Sequence, residues 1–178
     1  MSSHSNLSLW KLSICAAVVA SAAGIIGPIK SPAVAQPGLC ESVSGSSLKG
    51  VPASVVKAAQ KAAGSLKVVQ LNDVEVEDGV KIYELGGVQK NKCPFEVDII
   101  APGKLDEVEY QTSSLSQLPG VARSALNSEV PGYKVTLIEK SVRPGGAVVY
   151  ETQGTYKGKA VEVDVNANGT NVEVSSAS

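Results

Sequence analysis

The sequence predicts an α+β fold built from two tandem units, each a short helix packed on a four-stranded antiparallel sheet. Three observations lead to this prediction. The second half of the chain repeats the first, each copy opens with helical apolar spacing, and each copy continues in valine-rich alternating segments separated by turn residues. Alternation of apolar and polar residues is typical of an antiparallel sheet with one covered face.

The repeat appears when the sequence is placed on itself 67 positions along, the distance from Pro52 to Pro119. Further matches are Gly79 with Gly146, Tyr83-Glu84 with Tyr150-Glu151 and, after one deletion, Asp98 with Asp164 and Gly103 with Gly169. Two copies make a tandem pair, because solenoids need at least three repeats. The predicted organisation is a leader at 1–35, an N-terminal tail at 36–50, a first unit at 51–110, a linker at 111–117 and a second unit at 118–175.

The leader has the pattern of a secretory signal peptide. Lys11 gives a basic start, an apolar run covers 12–27, and the small residues "AVA" at 33–35 suit cleavage after Ala35. A retained membrane anchor is the alternative, but the apolar run is shorter than the ~20 residues that a spanning helix needs. We therefore expect a secreted or periplasmic protein that is not inserted in a membrane after cleavage.

Each unit then begins with a helix. Apolar residues at 52, 55, 56, 59 and 63 follow helical spacing, and Gly64 ends this first helix. In the second unit Leu118, Ala122, Ala125 and Leu126 face inward, and Pro131-Gly132 ends the helix.

The clearest strands have one apolar face. In the first unit this face holds Phe95, Val97 and Ile99, and in the second it holds Val161, Val163 and Val165. Successive side chains of a strand point to opposite faces, so we expect these residues to cover the sheet on the helix side.

Loss of the leader removes His4, the only histidine, together with Lys11 and Lys30. The remaining chain has 14 basic and 17 acidic residues, a net charge of −3. Catalysis by Ser-His or Cys-His pairs and zinc ligation by histidine are thereby excluded. A mildly acidic chain has no electrostatic attraction to nucleic acid.

Cys40 and Cys93 are the only cysteines outside the leader. An even pair in an exported protein predicts a disulfide. Two free thiols, or pairing between chains, remain the alternatives.

The second unit carries a series of structural motifs, namely a helix that opens with "LP", the strand entry "PGYKV", a central "YE" and the closing hairpin "EVDVNANGTNVEV". These motifs resemble PepSY-like domains, small exported modules grouped with the β-lactamase inhibitory protein fold, itself a tandem of two units. The resemblance is best over 115–175. It implies secreted or periplasmic proteins that bind or inhibit other proteins, peptidases among them, and it carries over no catalytic or binding residues.

The segment 164–169, "DVNANG", has the ligand spacing of a calcium-binding EF-hand loop. The loop also needs a bidentate carboxylate at its twelfth position, where this chain has Ser175. The first copy of the segment keeps Asp98 and Gly103 but has no asparagines. A hairpin turn explains both copies, so no metal or cofactor is predicted.

The segment "SVVK" at 54–57 has the Ser-x-x-Lys spacing of penicillin-recognising enzymes. The companion motifs of those enzymes are absent, and the second copy has Val121 and Ser124 at the aligned positions. We therefore predict that the protein is not an enzyme.

The polar side of the same strands carries acids, which are predicted to share the face away from the helices: Glu96, Asp98, Glu107, Glu162, Asp164 and Glu173. This face is either a solvated sheet surface or a binding surface for a protein with a basic surface. The predicted function is an exported, non-enzymatic protein-binding module that inhibits or modulates an envelope or secreted protein such as a peptidase. The alternative is a carrier of a small molecule or lipid, held in a cavity between helix and sheet.

Overall fold

The structure is a computed structural model that describes Cys40 and residues 43–77, 79–112 and 114–176. The predicted leader at 1–35 lies outside these residues. The elements in chain order are α1 Ala53–Ala63, β1 Gln70–Glu77, β2 Val80–Val88, β3 Pro94–Ile100, β4 Lys104–Gln111, a 3₁₀ helix Leu115–Gln117, α2 Gly120–Glu129, β5 Lys134–Val142, β6 Val148–Tyr156, β7 Lys159–Asn166 and β8 Glu173–Ser176.

The strands form one eight-stranded antiparallel sheet in which each strand pairs with the next along the chain. This corrects the prediction of two four-stranded sheets. After β4 the chain forms α2 and returns as β5 directly beside β4, in register from Val108–Val142 to Gln111–Glu139. Gln111, the first residue of the predicted linker, is therefore part of a strand. The α+β class is confirmed.

The first helix begins and ends where the sequence predicts. Pro52 is its N-cap and Gly64 its C-cap, with a positive φ of 61° that favours glycine. Val55, Ala59 and Ala63 are buried on one side of α1. Alanines on this side let the helix approach the sheet closely.

Two hydrophobic clusters cover the same face of the sheet. The first joins the buried side of α1 to Leu85, Phe95, Val97 and Ile99. The second joins Leu118, Ala122 and Leu126 to Ile138, Tyr150, Val163 and Val165. The predicted apolar alternation is therefore correct in both halves, and the opposite face of the sheet is left to the polar residues.

Each helix backbone lies against a turn glycine. A Cβ added to Gly103 would lie 3.4 Å from the carbonyl oxygen of Ser54, and one added to Gly169 would lie 2.9 Å from that of Val121. Gly169 has a φ of 80° and ends the turn after β7, where the Asn166 amide donates to the Thr170 carbonyl at 3.0 Å. The turn between two strands that both copies predict is thus present, and close helix packing explains its glycine.

The Cys40–Cys93 disulfide is confirmed, with Cα atoms 5.3 Å apart. It links the segment before α1 to the turn between β2 and β3. Within that segment, Ser46 pairs with Leu71 through two backbone hydrogen bonds of 2.7 and 2.9 Å. The outer edge of β1 is therefore covered at this position.

Candidate functional site: an acidic face of the sheet

The sheet face away from the helices carries directly paired acids. Because the strands are in register, these acids form three rows that run across the strands. The first row is Asp73–Glu84–Asp98–Glu107, the second is Glu96–Glu109, and the third is Glu139–Glu151–Asp164–Glu173. We call these ten residues, together with Glu162 beside the third row, the acidic face.

The structure brings the predicted acids together on this face. Glu96, Asp98 and Glu107 lie in the half that contains β1–β4, and Glu162, Asp164 and Glu173 lie in the half that contains β5–β8. Paired like charges on neighbouring strands oppose folding, by tenths of a kcal/mol or more per exposed pair. The acidic face therefore lowers the free energy of unfolding, and other interactions in the fold must offset this loss.

Sequence reasoning missed several members of the rows, including Glu84, Glu139 and Glu151. A signal for two of them was present in the repeated "YE", because Glu84 and Glu151 occupy matching positions in the two copies. The neighbouring tyrosine of the second copy, Tyr150, is 6% exposed on the helix side, so the strand must turn its glutamate to the other face.

The prediction of a water-exposed face is wrong for its central acids. Asp98 is 1% exposed, Glu84 4% and Asp164 8%. Asp73 on β1 and Glu173 on β8, at the outer ends of their rows, are exposed. The physical reason is the spacing of strands, about 4.8 Å, which places a side chain on each side of every central acid but on only one side of a terminal one.

Hydrogen bonds and ion pairs offset part of the repulsion. The Arg143 side chain donates from Nε to Glu107 at 3.0 Å, and its Nη2 lies 3.6 Å from Glu151 Oε1. The Ser141 hydroxyl also donates to Glu107. In addition, Asn72 donates to Glu96 at 2.5 Å and Gln111 to Glu139 at 3.1 Å.

Burial raises the pKa of several of these carboxyls, because the charged form loses water. Burial and the neighbouring Glu107 raise the pKa of Glu151 to about 9. The pKa of Asp164 rises to about 7 through burial, Glu162 and Glu173, while Arg143 lowers it. Burial and Glu139 raise the pKa of Glu109 well above its usual range. At neutral pH the acidic face therefore holds protons and carries less negative charge than its number of acids suggests.

Two groups of three carboxylates bring their oxygens within 4.8 Å of one another, Glu84 with Glu96 and Asp98, and Glu107 with Glu109 and Glu151. Oxygen ligands of this kind suit calcium, which takes six to eight of them. In the second group, Arg143 already supplies a cation to two of the three acids. Neither group follows from spacing along the sequence.

The two sequence motifs with a possible chemical role have structural roles. In "DVNANG", Asn168 accepts hydrogen bonds from the amide and hydroxyl of Thr170, within its own turn. Ser54 and Lys57 of "SVVK" are both exposed on α1, and neither contributes to the acidic face.

Two cavities are notable. One of about 30 Å³ lies on the acidic face, is lined by residues that include Asn72, Glu96 and Glu139, and has room for about one water molecule. The other, of about 660 Å³, is an open groove lined by α1 and the segment before it, including Leu48, Val56 and Lys61. Neither cavity separates a helix from the sheet, which is where a carrier of the predicted kind would hold its ligand.

Comparison with known proteins supports the fold. No family profile and no curated protein matches the chain. The structure resembles a DUF2874 family protein from Bacteroides uniformis, with a TM-score of 0.56 and 11% identity over 70% of this chain and 88% of that one. It also resembles a Bacteroides eggerthii protein designated periplasmic, with a TM-score of 0.56 and 13% identity over the same shares. A BLIP-like protein from Bacteroides fragilis has a TM-score of 0.49 and 16% identity over 68% and 87%.

At these identities, the likeness to the first two structures establishes a shared fold. Within the described residues, no helix is long and apolar enough to cross a membrane.

Proposed function

We propose that this protein is an exported, non-enzymatic binding module that uses the acidic face to bind a protein with a basic surface. The observation that carries the proposal is the alignment of ten acids in rows on one face of one sheet. The face sets acids such as Asp98 and Asp164 beside like charges, which opposes folding. A basic partner would add countercharge and would be steered to the face electrostatically.

The size of the sheet is consistent with a protein partner. A standard protein–protein contact buries about 800 Å² on each side. Eight strands at a spacing of about 4.8 Å span more than 30 Å between the edge strands, which is wide enough for such a contact. The continuous sheet joins the acids of both halves into one surface.

The proposal also covers the export of the protein and the division of the chain into segments. We place a signal peptide at 1–35, a tail at 36–50, and two PepSY-like units at 51–110 and 118–175 joined by a linker at 111–117. The repeated order of a helix followed by four strands supports this division, as does the likeness to a protein designated periplasmic. The partner would then be an envelope or secreted protein, a peptidase among the candidates, and the module its inhibitor or modulator.

The test is affinity capture from an envelope extract with the immobilised protein. The double variant E162Q/E173Q neutralises the half-buried Glu162 and the exposed Glu173. Fewer charge pairs then hold the captured protein, and salt screens those that remain, so the variant should release it at a lower salt concentration than wild type. Glu129→Gln is the matched control, since Glu129 is an exposed acid at the end of α2. Capture that is independent of salt, or equal for E162Q/E173Q and wild type, would move the binding site to another surface.

A further inference from the structure

Asp164 has an unusual position within the acidic face. It is 8% exposed and lies on β7, directly opposite Glu151 on β6 and Glu173 on β8. Its buried Oδ1 accepts no hydrogen bond from any residue that the structure describes. A buried carboxylate oxygen without a donor destabilises the folded state, most strongly when the group is charged. A donor from outside the chain would remove that cost if neighbouring side chains moved aside to admit it.

The same face shows how a cation fits between its strands. Arg143, the residue after β5, reaches Glu107 on β4 and Glu151 on β6, at 3.0 and 3.6 Å. One guanidinium therefore links acids from the strands on either side of β5. The fork of a guanidinium presents several N–H donors in a plane, which suits acids on neighbouring strands better than the single point charge of an ammonium group.

We propose that Asp164 is the docking position for an arginine side chain of the partner, which displaces protons from the third acidic row when it binds. This inference rests on the proposed function, because it assumes that the partner binds on the acidic face. The bound guanidinium would donate to Asp164 and to a paired acid, Glu151 or Glu173, as Arg143 does for Glu107 and Glu151.

The charges around Asp164 explain why binding of a guanidinium would release a proton from its carboxyl group. Glu151 faces it from β6, Glu173 faces it from β8, and Glu162 lies on its own strand. Arg143 acts from the residue after β5, and Glu139 on β5 ends the row. Burial, Glu162 and Glu173 raise the pKa of Asp164 to about 7, so near neutral pH about half of the Asp164 carboxyls carry a proton. A positive charge held against the carboxylate favours the ionised form, and the proton passes to water. The guanidinium itself stays protonated throughout this pH range.

The test uses a synthetic tetra-arginine peptide, with the neutral tetra-citrulline peptide as its matched control. Calorimetry at low salt near pH 7, in two buffers of different ionisation enthalpy, measures the protons released. We expect tetra-arginine to bind with release of about half a proton near pH 7, because about half of the Asp164 carboxyls are already ionised there. Its affinity should rise between about pH 5 and pH 8. Asp164→Asn should weaken binding at least about tenfold and abolish proton release, whereas Glu129→Gln should leave both unchanged.

A second measurement does not depend on a variant. The carboxyl carbon of Asp164 can be followed by NMR as a function of pH, and its titration should move to lower pH when tetra-arginine is present. Binding of equal strength to Asp164→Asn, or an Asp164 titration that the peptide does not move, would overturn the inference and leave the proposed function intact. Failure of tetra-arginine to bind the wild-type protein at low salt would instead contradict the proposed function.

Discussion

Replacing Asp164 by asparagine should make the protein more stable at alkaline pH and leave its stability nearly unchanged in acid. Asparagine has the same shape and no charge. In wild type the carboxyl has a pKa of about 7 when folded, against a reference value of 3.8. Because the folded pKa is raised, the folded state is favoured by this group below pH 3.8, and that contribution is lost as the pH rises through 7.

The size of the effect follows from the shift. One pKa unit corresponds to about 1.36 kcal/mol, so the rise in pKa from 3.8 to about 7 sets an upper limit of about 4 kcal/mol on the cost of ionised Asp164. We expect Asp164→Asn to recover part of this, about 1–3 kcal/mol near pH 8, and close to none near pH 4, where both side chains are neutral. Glu151, with a pKa of about 9, adds to the decline of wild-type stability toward alkaline pH.

The assay is urea unfolding of wild type and Asp164→Asn near pH 4 and near pH 8, with Glu129→Gln as the control. The exposed Glu129 should change the free energy of unfolding by less than about 0.5 kcal/mol at either pH. The reasoning is refuted if Asp164→Asn destabilises the protein near pH 8, or if its effect is the same at both pH values. A variant that is more stable but binds tetra-arginine less well would show that the acidic face is maintained for binding.

Three further predictions concern the rest of the chain. Reducing the Cys40–Cys93 disulfide, which spans 53 residues, should lower the free energy of unfolding by about 4 kcal/mol, and an unchanged urea midpoint in reductant would contradict this. Gly154→Ala should destabilise the protein by at least about 1–3 kcal/mol, because the added Cβ would lie 2.2 Å from a backbone carbonyl oxygen of β5. Gly120→Ala is the control in the same thermal scan: its Cβ would have no atom within 4 Å, so the variant should be neutral or stabilising. Mass analysis of protein recovered from the envelope of cells that express the full-length chain should find Gln36 at the N-terminus, and an intact residue 1 would rule out cleavage.

The local elements of the fold follow from the sequence because they depend on neighbouring residues. Helical spacing and Gly64 predict α1, and the alternation of Phe95, Val97 and Ile99 predicts which face is buried. The pairing of β4 with β5 does not follow, because strand partners are separated by α2 and its flanking turns. Gln111 belongs to the Ser- and Gln-rich segment 111–117 that predicts a linker, and yet it pairs with Glu139 on β5.

In the candidate site, too, local features follow from the sequence, whereas features that depend on strand pairing do not. Alternation correctly places Asp98 and Asp164 away from the helices. Their burial depends on the register of neighbouring strands, which sets acid beside acid and is not visible in one strand alone. Arg143 is the other unforeseen element: it lies 36 residues after Glu107, and only the β4–β5 pairing brings the two side chains together.

The β4–β5 pairing also bears on how the sheet can bend between its two halves. It comprises four residue pairs, compared with eight between β5 and β6, and it joins two halves whose apolar clusters each have their own helix. A bend along this line would leave both clusters intact, but it would strain the side-chain contacts that cross the line, from Arg143 and Ser141 to Glu107 and from Gln111 to Glu139. Such a bend would also change the angle between the first and third acidic rows. The fit of the acidic face to the curvature of a partner therefore depends on these few contacts between β4 and the β5 side of the sheet.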